Sequence, residues 1–204
     1  MHDAGPVSME RGSRGVTIKI ARTLNDLMVV TSIRSAVYMA EQNCPYDEEF
    51  DGNDLVAAHF IGFIGDEPVA CLRARFFADF AKVERLAVRH QFRRSTVAFK
   101  LVRASVEFLK RKGYRRIYGQ AQDRLVDFWA RFGARPLPNG RKLVFSEFSY
   151  TEMVLELDAD PRAITIDSDP YVIIRPEGEW DRPGILDRSS ARSAPTVKAA
   201  PAAA

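Results

Sequence analysis

Apolar positions recur along this chain with two different periods, and each change of period marks an element. Val16, Ile18 and Ile20 alternate with polar residues, which predicts a short strand. Thr23 followed three places on by Asp26 has the form of a capping box. Leu27, Val30, Ile33 and Val37 then recur at helical spacing, so a helix is expected to run to about Met39. Ala58 to Ile64 and Val69 to Phe77 are apolar runs on either side of Gly65-Asp66-Glu67-Pro68, the pattern of a β-hairpin. Lys82 to Val88 reads as a third strand of that group. Val97, Leu101, Ala104 and Phe108 mark a second long helix. It closes in Lys110-Arg111-Lys112, cations that suit the negative end of a helix, and then Gly113. Arg116 to Gln120 is expected as a strand, Leu125 to Phe132 as a short helix stopped by Gly133, and Thr151 to Leu157 as a last strand.

The order is β, α, β, β, β, α, β, α, β. A hairpin-rich first half feeds a βαβ-like second half, which places the chain in the α/β class with a mixed sheet. One domain is expected over residues 16–157. Residues 1–15 read as a flexible leader. Residues 158–204 read as an extended tail, with one apolar patch at Tyr171 to Ile174 and disorder from about residue 187, where only small, polar and a few charged residues remain. Such an arm, carrying Tyr171 and Trp180, would wrap its own domain or reach a second subunit, and a homodimer is expected.

Composition narrows the function. Of 204 residues 46% are apolar and 28% charged, enough to bury a core and stay in solution. A net charge of +3 is too balanced for histone-like coating of nucleic acid. The basic residues are not interleaved with aromatics as stacking surfaces require, so no nucleic-acid partner is expected. Cys44 and Cys71 make neither a disulfide framework nor a zinc pattern. No apolar run approaches the ~18 residues of a membrane span, and the N-terminus lacks a secretory apolar region. A reduced, cytoplasmic protein without a membrane partner is the expectation.

The chemistry concentrates in Val83-Glu84-Arg85-Leu86-Ala87-Val88 and the following Arg93-Arg94-Ser95-Thr96-Val97-Ala98. This is a strand, a basic turn and a helix start. Free backbone N–H groups at a helix N-terminus favour an anion. From Lys82 to Arg103 seven basic residues stand against one acid, Glu84, so a phosphate-rich ligand would dock here. For Arg93 and Arg94 a solvated surface pair is the competing reading.

These residues resemble the GNAT superfamily of acyl-CoA-dependent N-acyltransferases. Its signature is a strand V-x-x-L-x-V, then a turn R/Q-x-x-G-x-G/A that opens a long helix. Thr96 stands where glycine is usual. Asp127-Phe128-Trp129-Ala130-Arg131-Phe132-Gly133 is similar to the family's helix after the fifth strand, with Trp129 at the place of a tyrosine that often protonates the leaving thiolate. An indole N–H cannot serve as that acid, and Tyr38, Tyr118 and Tyr150 are left as candidates. Ile33-Arg34-Ser35-Ala36-Val37-Tyr38, Glu41-Gln42-Asn43-Cys44-Pro45 and Asp51-Gly52-Asn53-Asp54 resemble a subgroup related to the autoinducer (acyl-homoserine-lactone) synthases.

The resemblance implies a GNAT-like, mostly antiparallel mixed sheet with flanking helices. It also implies transfer of an acyl group, acetyl by default, from CoA to a small amine. In that frame Glu84 takes the amine proton, or else pairs with Arg85 or Arg73. The backbone of Leu86, Ala87 and Val88 pairs with the pantetheine arm, and the Leu86 N–H polarises the thioester oxygen. Arg93, Arg94, Ser95, Thr96, Val97 and Ala98 surround the diphosphate. Alternatives are a longer-chain transferase fed by acyl-CoA or acyl carrier protein, and a CoA-binding module without turnover.

The acidic stretch 41–55 either attracts a cationic amine, with Glu41 and Asp51 lining the site, or pairs with Arg34, Arg73 and Arg75. It is not an EF-hand, since the twelfth position from Asp47 is Ala58. His59 reads as a core histidine and the two cysteines as structural. No metal is expected.

Overall fold

The structure, a computed structural model, describes residues 15–192. All but the last residue of the expected leader therefore lies outside the described residues.

Strand β1 (Val16–Ile20) leads into helix α1 (Leu24–Arg34). The capping box forms: Thr23 Oγ1 accepts from the Asp26 amide at 3.1 Å, and the Asp26 carboxylate accepts from the Thr23 amide at 3.2 Å. Burial alone would raise the Asp26 carboxyl, but the Arg22 amide, Lys19 and Thr23 bring it down to about 2. The α-helical part stops at Arg34, earlier than the periodicity predicts, and continues as a π-helical stretch over Ser35–Glu41. The wider turn brings Arg34, Val37 and Tyr38 together against the sheet. The acidic loop then contains one turn of helix, α2 (Tyr46–Glu49), and a 3-10 turn at Asp54–Val56.

The hairpin is present as β2 (Ala58–Ile64) and β3 (Glu67–Phe76), followed by β4 (Ala81–Val88). Gly65 has φ +61°, the conformation a two-residue hairpin turn demands. Helix α3 (Val97–Arg111) ends, as its sequence predicts, at Gly113 with φ +89°. Then come β5 (Arg116–Gln122), α4 (Val126–Ala130), β6 (Arg135–Pro136), β7 (Lys142–Phe145) and β8 (Phe148–Glu156). The order is β1-β2-β3-β4-β5-β8-β6, with β7 also on β8, and the β4–β5 pairing is parallel while the rest are antiparallel. This is the mixed α/β sheet expected. Sequence reasoning missed β7 because its turn, Ser146-Glu147, takes φ +44° and +67° without the glycine or asparagine that signals such a turn.

Each face of the sheet buries one helix. Phe60, Leu72 and Val83 of the sheet meet Leu101 and Phe108 of α3, while Ile61, Cys71 and Ala87 on the other face meet Val30 and Ile33 of α1 and Val37 of the π-helical stretch. A Cβ on Gly62 would stand 2.6 Å from Val97 Cγ2, so the start of α3 rests directly on the β2 backbone. That contact fixes where the basic turn sits.

The tail is not an extended arm among the described residues. It folds back on its own domain. The Ile164 amide donates to Arg111 O at 2.8 Å, and Trp180 lies buried with its ring 5.1 Å from that of Phe108. Arg22, Arg111 and Lys112 pair with Glu179, Asp181 and Glu177. Two short helices, α5 (Pro170–Ile174) and α6 (Ile185–Ser190), lie within it. Residues 187–190, expected to be disordered, are thus helical, and 193–204 fall outside the described residues.

Candidate active site

The site begins with a fault in strand pairing. Cys71 faces Ala87 and Arg73 faces Glu84, so two residues of β4, Arg85 and Leu86, oppose the single Leu72 of β3. This is a β-bulge, and Arg85 carries the positive φ of +53° that it requires. Glu84 and Arg85 consequently both face the α1 side. The bulge also turns β4 away from β5: the two pair only at Ala81 with Ile117 and Lys82 with Tyr118, although β5 runs on to Gln122. Beyond Val83, whose carbonyl still lies against Gly119, the β5-facing edge of β4 to Val88 has no paired strand. A wedge opens there, edged by main-chain polar groups.

The wedge leads to the basic turn. The Arg93 and Ser95 amides are taken by His90 O (3.3 Å) and Phe92 O (3.0 Å). Thr96 is the N-cap of α3 but its side chain caps nothing. Its φ of −82° is ordinary for any residue, so the turn needs no glycine there, and the threonine is exposed. The Val97 amide lies 3.4 Å from Ser95 Oγ, a weak contact, and that hydroxyl itself donates to Phe92 O at 2.7 Å. The first turn of a fifteen-residue helix therefore presents its donors outward. Val97 is wholly buried, its side chain in the core, and Ala98 is half-buried. Arg93 donates to Val88 O at 3.1 Å, approaches His90 Nδ1 at 3.2 Å and pairs with Glu41; Arg94 is exposed.

The opposite, α1-facing side of β4 carries a charge network. Arg73, fully buried, donates to Asp51 (2.8 and 2.5 Å), Asp54 (2.8 Å) and Glu84 (3.0 Å). Arg34, also buried, pairs with Glu49 and Asp54. Arg85 faces Glu49 Oε2 at 3.2 Å and Asp51 at 3.3 Å, with Tyr38 beneath it. Glu84 further holds Lys82 at 2.6 Å. For Asp51 and Asp54 burial would raise the carboxyls, but hydrogen bonds from Arg73 and, for Asp54, Arg34 hold both below the usual range.

Several of the expected residues are engaged within the protein itself. Glu84 pairs with Arg73, and Arg85 goes elsewhere; its two oxygens are engaged by Arg73 and Lys82. Asp51 accepts from Arg73 and Arg85 and is part of the loop's anchorage. Glu41 lies beside Arg93, joining a residue expected on the amine side to one expected on the phosphate side. His59 is a core histidine: its Nε2 lies 2.9 Å from Asp54 O, and burial lowers its pKa. Burial pushes the Cys71 thiol up to about 12, which excludes it as a nucleophile at neutral pH.

Of the three tyrosines, Tyr118 donates to Glu152 at 2.5 Å and Tyr150 accepts from Gln122 at 3.1 Å, while Tyr38 donates to Leu86 O at 2.9 Å, inside the unpaired stretch. Tyr38 lies four places after Arg34 on the same helix, a spacing visible in the sequence; the π-helical turn that aims both was not. Among the described residues no group of His, Cys, Asp and Glu is placed to hold a metal ion, and no helix is long and apolar enough to cross a membrane.

Comparison with known proteins agrees with this geometry. The model of the acetyltransferase (GNAT) family matches residues 27–134. The ElaA protein of Escherichia coli K12 is 30% identical over 121 residues, covering 56% of this chain and 78% of ElaA. In the crystal structure of E. coli ElaA the match extends to 70% of this chain and 100% of that one, with a TM-score of 0.61 and 24% identity. YjcF of Bacillus subtilis, described as an N-acetyltransferase, is 28% identical over 118 residues, 58% of this chain and 84% of YjcF. An acyl-CoA N-acyltransferase of Pseudomonas aeruginosa shares the fold at a TM-score of 0.62 and 21% identity, over 69% of this chain and 99% of its own.

Proposed function

The chain belongs to the acetyltransferase (GNAT) family, and from that premise we propose that it moves an acyl group from acyl-CoA to a small amine by direct attack. One observation carries the reading: an unpaired edge of β4 runs straight into the uncapped start of α3. An extended pantetheine arm can pair with the first as an added strand, while a diphosphate lies against the second.

Leu86, Ala87 and Val88 offer the main-chain groups for the arm, and the Leu86 N–H polarises the thioester carbonyl. Arg94 and the amides of Thr96, Val97 and Ala98 meet the diphosphate, with Ser95 shaping the turn. Arg93 joins them by exchanging Glu41 for phosphate. The amine enters from the α1 side, past Glu41; Asp51 adds negative charge there without a free lone pair. Glu84, two residues before Leu86, takes the amine proton directly or through one water on the oxygen it gives up from Lys82, while Arg73 keeps the other. The nitrogen bonds the thioester carbon, the C–S bond breaks, and CoA leaves as thiolate. Burial pushes the Tyr38 hydroxyl up, so it keeps its proton through the neutral range and, leaving Leu86 O, donates it to the departing sulfur. Acetyl is the simplest donor group. A cytoplasmic homodimer without a metal completes the reading.

The experiment is release of free thiol from acyl-CoA by the purified chain across a panel of amines, beside native mass spectrometry of protein isolated without added ligand. Amine-dependent release with CoA or an acyl-CoA retained on the protein is expected. Binding without release at any acyl length indicates a CoA-binding module. A preference for acyl carrier protein over acyl-CoA indicates the autoinducer-synthase type of donor.

A further inference from the structure

Two side-chain contacts cross the mouth of the wedge on its α1 side. One bank is β4, with the π-helical stretch lying over it. The loop that follows is tied to this bank by Arg85, which donates to Glu48 O at 2.6 Å. The other bank is β5 with β8, paired without a break from Arg116 and Glu156 to Gln122 and Tyr150. Gln42, the first residue after the π-helical stretch, reaches across to the last residue of β5. Gln122 Nε2 donates to Gln42 Oε1 at 3.3 Å and to Tyr150 Oη at 3.1 Å. Further out, Ser146 in the turn between β7 and β8 donates to Glu48 Oε2 at 2.6 Å and lies 3.3 Å from Cys44 Sγ.

Neither contact belongs to the regular pairing of the sheet, and each carries a local cost. The Gln42–Gln122 bond is longer than the usual ~2.9–3.0 Å. Gln122 is buried, and its Oε1 has no donor, so the closed arrangement strands a polar atom. At the outer contact Ser146 and Glu147 take φ +44° and +67°, and Asn43, beside Cys44, takes φ +54°. Residues with a Cβ hold such angles only where surrounding bonds impose them. Parting the two banks would hydrate Gln122 Oε1 and let the turn relax, while the β5–β8 pairing and the Arg85 anchor stay as they are. Tyr38 and Glu41, placed above at the leaving thiolate and at the amine's entrance, precede Gln42 on the same stretch.

We propose that Gln42 with Gln122, and Cys44 and Glu48 with Ser146, are the two points of a clasp, closed in this structure, which parts to admit the amine to Glu84 and shuts over it for the transfer. This rests on the amine entering from the α1 side. The test is a reversible lock. Ser146→Cys in the full chain sets a thiol beside Cys44, and a disulfide needs the sulfurs about 2.05 Å apart, roughly an ångström closer than the present contact. Diamide takes the two electrons and two protons from the thiol pair, and Cys71, wholly buried, does not compete. The oxidised variant is expected to bind CoA in calorimetry as its dithiothreitol-reduced form does. Its kcat/KM for the amine is expected to fall at least about tenfold against that reduced form and to return with dithiothreitol. Parent protein treated with diamide keeps its rate. A second measurement does not depend on turnover: iodoacetamide should alkylate Cys44 at least about fivefold faster in Ser146→Ala than in the parent, because the outer contact no longer holds the banks together. Equal turnover of the oxidised and reduced forms, a lock that removes CoA affinity as well, two thiols that do not join, or equal alkylation rates each overturn the clasp while the proposed function stands. Absence of thiol release by the parent with every amine overturns the proposed function, and the clasp with it.

Discussion

Replacing Arg73 by Met removes the centre of the network that holds residues 49–54 on the sheet. The guanidinium is fully buried and makes four charge-assisted bonds to three carboxylates. Methionine fills most of the volume but leaves Asp51, Asp54 and Glu84 facing one another. Truncating one side of such a buried pairing costs about 3–5 kcal/mol, mostly as the penalty of the stranded charges. Asp51 and Asp54 keep 26% and 28% of their side chains in water, which places the expected loss within that range rather than above it. For a chain of this length that corresponds to a fall of roughly 10 °C in melting temperature. The sign with pH is also determined. Asp51 and Asp54 have folded pKa values below their ordinary ones, so the stability they contribute is present above about pH 4 and is lost as pH falls through the lowered values. In the Met variant the stranded carboxylates take up protons more readily, so its deficit against the parent shrinks as pH drops below about 4. Urea unfolding of both proteins at pH 7 and pH 3.5 reads both effects. Arg73→Lys should recover only part of the loss, because a point charge cannot serve three acceptors with the geometry of a planar fork. Equal midpoints at pH 7, or a deficit that does not narrow in acid, would show that the carboxylates are satisfied without Arg73.

Three other outcomes are expected. Glu84→Gln keeps shape and lowers kcat by about 10²-fold or more; an unchanged kcat removes Glu84 from proton transfer. Arg94→Ala raises KM for acyl-CoA with little change in kcat, and the effect fades at high salt because an exposed cation acts through a screened field; a salt-independent loss of kcat contradicts that role. Trp180→Ala opens a gap beside Phe108 and costs about 3–5 kcal/mol in urea unfolding, and the chain ended at Leu157 loses at least as much while its gel-filtration mass per protomer count stays the same. A change of oligomeric state in the shortened chain would show that the tail reaches a second subunit after all.

The element order, the capping box at Thr23, the hairpin at Gly65 and the basic helix start after Val88 were legible in the sequence, because each depends on neighbours a few residues apart. Periodicity reports which face of a strand or helix is apolar, and turn chemistry reports where the chain reverses. The tail was legible only as a stretch with two aromatics; that Trp180 finishes the core under Phe108 depends on where α3 ends in space. The bulge at Arg85 left no local mark, since it arises when two strands of unequal residue count are paired, and nothing in Glu84-Arg85-Leu86 requires it. Yet that one extra residue turns two charges to the same side and parts β4 from β5, which makes the wedge. The charge network is the same kind of case. Pairing of the acidic loop with Arg34 and Arg73, and of Glu84 with Arg73, was among the sequence expectations; that the cluster is buried, and which carboxylate meets which arginine, is decided only when cross-strand register and the π-helical turn bring these residues within hydrogen-bond distance. The sequence by itself determined which segments fold and where the basic residues cluster; the tertiary structure alone determined which charges are spent on holding the fold and which strand edge is left unpaired, because register and burial are properties of pairs of segments and not of either one.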